Sequence, residues 1–149
     1  MAGGLFGGYM TQLVSLSLRN IVKPEETASF DFPALDGLSI QLCYLGRDRL
    51  NAIRKECIVK RLSRGEAEES LDLVKFNILY SAAVIKGWKG FKLSYLSSLM
   101  LVDLPEGTDP NSELEYTPEN AEVLLRNSNI FDKFVSDILA DLSNFTQRG

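Results

Sequence analysis

The spacing of apolar residues changes once along this chain, and that change limits what it can build. Up to Tyr44 they recur at every second position. Val14, Leu16 and Leu18 alternate with Ser15, Ser17 and Arg19; Leu38, Ile40, Leu42 and Tyr44 alternate with Ser39, Gln41 and Cys43. A period of two turns one side of an extended chain towards a core, so two strands are expected, over residues 13–22 and 38–44, set antiparallel. Pro24 stops the first, and Asp36-Gly37 signals a turn before the second. Phe30 and Phe32 belong either to a strand end or to a loop packed on the sheet. From Asp48 the period lengthens. Leu50, Ile53, Cys57, Ile58 and Leu62 fit one amphipathic helix with a basic outer face, broken at Ser63-Arg64-Gly65. A second helix should open on Glu66, Glu68 and Glu69, where acids suit the positive end of the helix dipole. It should continue through Leu71, Val74, Ile78, Ala82 and Ile85, with Phe76, Leu79 and Ala83 widening the stripe. Apolar over more than half its girth, it is expected to be the most buried element and to end at Gly87.

Lys86-Gly87-Trp88-Lys89-Gly90-Phe91 is the pivot that follows. It holds the only tryptophan, between two glycines, and reads as a turn. Tryptophan here plugs the edge of the core or anchors an interface, and the two roles can coexist. Residues 93–104 fit a helix and a strand about equally, and a short helix followed by an extended piece is the expectation. Residues 105–111 are a loop rich in proline, glycine and aspartate. Thr117 is an N-cap candidate with Pro118 at the first helical position. Asn127-Ser128-Asn129 interrupts that helix, and Ser128 or Asn129 could cap a last one carrying Ile130, Phe131, Phe134, Val135, Ile138, Leu139, Leu142 and Phe145. The expected fold is a single α+β domain over residues 11–149, mainly helical, with a small N-terminal antiparallel β-sheet. A flexible glycine-rich arm, residues 1–10, precedes it.

The 149 residues suit one core, and 45% hydrophobic with 24% charged residues is an ordinary globular balance. With no histidine, the chain lacks the usual neutral-pH base and the commonest metal ligand. A catalytic triad and a phosphate-binding loop both lack their residues. No cofactor or metal site is expected. Asp109, Glu113, Glu115 and Glu119 could pair as catalytic or metal-binding carboxylates, but a solvated acidic loop accounts for them more simply. Cys43 and Cys57 match no zinc or redox spacing and read as buried apolar residues. A net charge of −4 argues against bulk nucleic-acid binding. That charge is uneven: residues 47–64 carry seven bases and two acids, and residues 103–122 carry seven acids and no base. The two regions read as solvated faces or as docking surfaces for a charged partner. No run approaches the roughly 20 apolar residues that span a bilayer, and no secretory leader is evident.

The order of these features resembles the tail assembly chaperones of long-tailed bacteriophages. Members often carry a Gly-Trp-x-Gly turn, then a segment similar to Tyr-Thr/Ser-x-Glu-Asn, a Leu-Leu helix and a C-terminal helix. The matching residues here are Gly87-Trp88-Lys89-Gly90, then Tyr116-Thr117-Pro118-Glu119-Asn120, then Leu124-Leu125. The resemblance spans roughly residues 38–149. It implies a non-catalytic protein of the host cytoplasm that binds and solubilises the tape measure protein and helps recruit tail tube subunits. It leaves room for a homo-oligomer. Gly87, Gly90, Tyr116, Thr117 and Pro118 are then the structural motif. Trp88, Phe91, Leu96, Leu99 and Met100 are the candidate partner-binding residues, in a groove supplied by residues 71–85 and 93–104. Those residues could equally form the domain's own core. The glycine-rich start and residues 93–104 depart from the family pattern. They leave open a structural virion subunit of tail or capsid, with the arm as an inter-subunit tether.

Overall fold

The computed structural model describes residues 11–146, so the expected arm over residues 1–10 lies outside it. The central sheet is antiparallel and three-stranded. β2 (Ser39–Leu45) runs between β1 (Glu25–Asp31) and β5 (Ile85–Lys89). Pairing is regular from Glu25–Leu45 to Asp31–Ser39. Between β2 and β5 the register slips at Gln41/Leu42. Ile40 and Leu42 of β2 are fully buried, as their alternation requires.

The strand expected over residues 38–44 forms as β2, whereas residues 13–22 form no strand. Those residues carry only a four-residue helix, α1 (Leu18–Ile21), and all are exposed; Leu13 keeps 98% of its surface. The sheet leaves them no seat beside β2, because both its flanks are taken. The first partner is instead β1, the stretch with Phe30.

A second correction concerns residues 57–71. The helix α2 (Arg47–Glu56) ends at Cys57, and the chain then forms a two-stranded antiparallel hairpin, β3 (Ile58–Ser63) and β4 (Glu66–Leu71). The cause is the turn. Arg64 and Gly65 both take positive φ, 54° and 80°, the pair of left-handed residues that joins two strands in a tight hairpin. Ser63-Arg64-Gly65 therefore reverses a strand and does not break a helix. With 43% helix and 24% strand among the described residues, the strands in two small antiparallel sheets, the fold is α+β but is not mainly helical with a single N-terminal sheet.

The helix α3 (Leu73–Val84) starts after the hairpin. Asp72 caps it, its carboxylate accepting from the Lys75 N–H at 3.1 Å. It is not the most buried element: Leu73, Val74 and Ile78 are 64%, 72% and 49% exposed, and only Ser81, Ala83 and Val84 are buried. It ends at Val84, where the chain passes directly into β5, so Gly87 sits inside a strand and does not cap a helix. A 3-10 turn (Leu93–Tyr95) and α4 (Leu96–Leu99) follow, which is the expected short helix, and the chain beyond them to residue 104 is irregular and joins no sheet.

α5 (Pro118–Asn127) is capped by Thr117, whose hydroxyl oxygen accepts from the Asn120 N–H at 3.0 Å. α6 (Asn129–Leu139) is capped by Ser128, whose hydroxyl accepts from the Phe131 N–H at 3.0 Å. Ser128 is itself buried, so Ser128→Ala should destabilise the domain by about 1–2 kcal/mol, the upper range for lost caps. A urea titration measures this. The last helical pattern does not run unbroken to Phe145. It stops at Leu139, and Asp141 accepts from Ser143 N–H at 3.0 Å to start α7 (Ser143–Thr146). That break returns Phe145 to the sheet, 5.4 Å from Phe30 and 5.5 Å from Tyr44 between ring centres. The core joins β2, the end of α3, Phe91, α4, α5 and α6 into one cluster. Cys43 and Cys57 are buried free thiols. No helix among the described residues is long and apolar enough to cross a membrane.

Candidate functional site

The two motifs singled out in the sequence meet in space. Trp88 Nε1–H donates to the Leu114 carbonyl at 2.9 Å, and the Tyr116 hydroxyl donates to the Ile85 carbonyl. The Trp88 ring lies 5.0 Å from Tyr116, edge to face, and 5.1 Å from Phe91. Burial pushes the Tyr116 phenol above its usual range, which keeps its proton on the oxygen that donates. The segment ahead of Thr117 is thus fastened to β5 by both aromatics before α5 begins. Gly90, at φ 70°, makes the turn out of β5.

This cluster is interior. Phe91 is fully buried, and Leu96 and Leu99 are nearly so. Trp88 and Met100 are half-buried at the margin of the core. Of the five candidate partner-binding residues, three therefore have their surface taken up by the chain itself. Of the motif residues, Gly87 lies within β5 and not in the expected turn, Gly90 makes the turn, Tyr116 the fastening, and Thr117 and Pro118 the start of α5.

A concave apolar surface lies elsewhere. An open groove of about 510 Å³ runs between the end of β1 and α6. Phe30, Phe32 and Pro33 line one side, and Ile130, Phe134 and Ile138 line the other. Phe32 stacks on Phe131 at 6.1 Å and leans on Phe134 at 4.5 Å, which holds the floor. Ile130 is 55% exposed on the wall. Asp31, Lys133 and Asp137 stand at the rim, with Lys133 and Asp137 paired at 2.8 Å. That volume falls in the range of ligand clefts, but the open form and apolar lining suit a protein segment better than a small polar molecule.

The groove residues are legible as apolar positions of the sequence, but not as a site. α6 carries adjacent apolar pairs, Ile130-Phe131 and Phe134-Val135. Phe131 and Val135 turn inwards, while Ile130 and Phe134 keep exposed surface. A stripe wider than one contact needs is the available signal. Asp109, Glu113, Glu115 and Glu119 form no cluster, and among the described residues no group of three metal-ligating side chains could hold an ion. Comparison with protein-family models, with curated proteins and with solved structures returns no match.

Proposed function

We propose that this protein is a non-catalytic binding module that receives an amphipathic helix of another protein in the groove between β1 and α6. The observation that carries this reading is an open, aromatic-lined apolar cleft with charge confined to its rim. An incoming helix would place apolar residues three and four apart on Phe32, Phe134 and Ile138. Rim charges keep such a cleft soluble when empty and orient what enters it. The finer reading rests on the paired motifs Gly87-Trp88-Lys89-Gly90 and Tyr116 to Asn120. It is that of a tail assembly chaperone in the host cytoplasm, binding a tape measure protein and helping to gather tail tube subunits around it.

The two levels are tested separately. Co-expression with the tape measure protein of the same phage should raise that protein's soluble yield; an unchanged yield rejects the tail-assembly reading. Ile130→Glu should weaken partner binding by at least about tenfold, since burying one aliphatic side chain contributes roughly 1.5–3 kcal/mol. The fold should survive, because Ile130 is half in solvent already. Binding by calorimetry that is indifferent to Ile130→Glu places the contact outside the groove. Mass spectrometry of purified particles should find no copy of the chain; its presence there favours a virion subunit instead.

A further inference from the structure

The hairpin of β3 and β4 stands apart from the main sheet. All of β3 is exposed, and so is all of β4 except half-buried Leu71. A two-stranded ribbon with nothing over it is marginal in water. One of its faces carries two apolar pairs, Ile58 opposite Leu71 and Leu62 opposite Ala67, on either side of Lys60 opposite Glu69.

Its two edges differ in sign. β3 holds Lys60 and Arg61 and no acid, whereas β4 holds Glu66, Glu68 and Glu69 and no base. Lys60 lies opposite Glu69 and Arg61 opposite Glu68. Among the described residues none of these four closes an ion pair. An open strand edge is a template for another strand, and charge usually blunts it. The charge on this hairpin does not oppose every approach equally. Here β3 against β3 sets base on base, and β4 against β4 sets acid on acid. β3 against β4 brings opposite charges together.

We propose that this hairpin joins copies of the chain, the β3 edge of one copy pairing with the β4 edge of the next. With hairpins pointing the same way, β3 runs antiparallel to its neighbour's β4, as it does to its own. The internal register can then repeat across the junction. Lys60 lies between two copies of Glu69, Arg61 between two copies of Glu68, and each of the two apolar pairs extends into a row across the junction. Such contacts are head-to-tail, so they close into a ring or continue as a filament and do not stop at a twofold dimer. The inference does not depend on the groove or its occupant.

Sedimentation velocity on the full chain, over a range of protein and salt concentrations, tests it. The weight-average mass should climb past twice the 16.6 kDa of one chain and fall as salt rises. Lys60→Gln with Arg61→Gln, and separately Glu68→Gln with Glu69→Gln, should each raise the concentration needed for association on the order of tenfold. Changing all four at once, Lys60→Glu, Arg61→Glu, Glu68→Lys and Glu69→Lys, keeps the signs complementary and should restore it. Near-ultraviolet circular dichroism from Trp88 should be the same in all variants, because the hairpin lies outside the core. A constant mass of one chain, an assembly that stops at two, glutamine variants that associate like the parent, or a fourfold exchange that restores nothing would each overturn the proposal.

Discussion

Adding a single methyl group at Gly90 is expected to cost the domain about 2–5 kcal/mol, a large part of the roughly 5–15 kcal/mol available to a typical fold. Two effects combine. Gly90 has φ 70°, a left-handed conformation that costs an L-residue about 1–2 kcal/mol. A Cβ there would also lie 2.1 Å from the Gly37 carbonyl oxygen and 2.8 Å from its carbon. Those are backbone atoms of the turn before β2, so the clash is relieved only by moving one turn off the other, at about 1–3 kcal/mol. Gly107→Ala isolates the first effect. Its φ is 82°, but nothing lies within 4 Å of the added methyl, so about 1–2 kcal/mol is expected. Urea midpoints of the two variants decide the matter: equal losses would mean that the approach of Gly90 to Gly37 contributes nothing.

Phe91→Ala should remove about 3–5 kcal/mol, the usual range for deleting a buried phenylalanine. Phe91 is fully buried, with its ring tilted against that of Trp88 at 5.1 Å between centres. At roughly 2–4 °C per kcal/mol for a chain of this size, the melting midpoint should drop by about 10 °C. This variant also separates two roles. A residue that serves mainly to grip a partner leaves the free protein stable when truncated. Unchanged melting with lost partner binding would move Phe91 from the interior to the interface.

The parts of this fold that show in the sequence are those set by local chemistry. Thr117-Pro118 and Ser128 start helices because a short hydroxyl satisfies a backbone N–H three residues on, whatever surrounds it. Ile40 and Leu42 alternate into a core on one side of β2. The missed parts are those decided by competition between segments. Residues 13–19 alternate as well as β2 does, but which stretch pairs with β2 depends on the whole chain. Ile58 and Leu62 satisfy both a four-residue and a two-residue period, and the Arg64-Gly65 turn selects the second. Val74 and Ile78 make α3 look central, though its buried residues, Ser81, Ala83 and Val84, all lie at the far end. The groove was hidden for a similar reason: apolar spacing says that Phe134 and Ile138 share a helix side, not that this side is left uncovered.

Where the hairpin leaves the body, the Asp72 N–H donates to the Cys57 carbonyl at 2.8 Å, and the Lys75 ammonium reaches the Glu56 carbonyl at 3.0 Å. Entry and exit of the fourteen intervening residues are therefore stitched together at the base. The projection is an appendix in the architectural sense, one that could be trimmed to a short linker, lengthened, or exchanged for a reporter peptide without disturbing the scaffold beneath it.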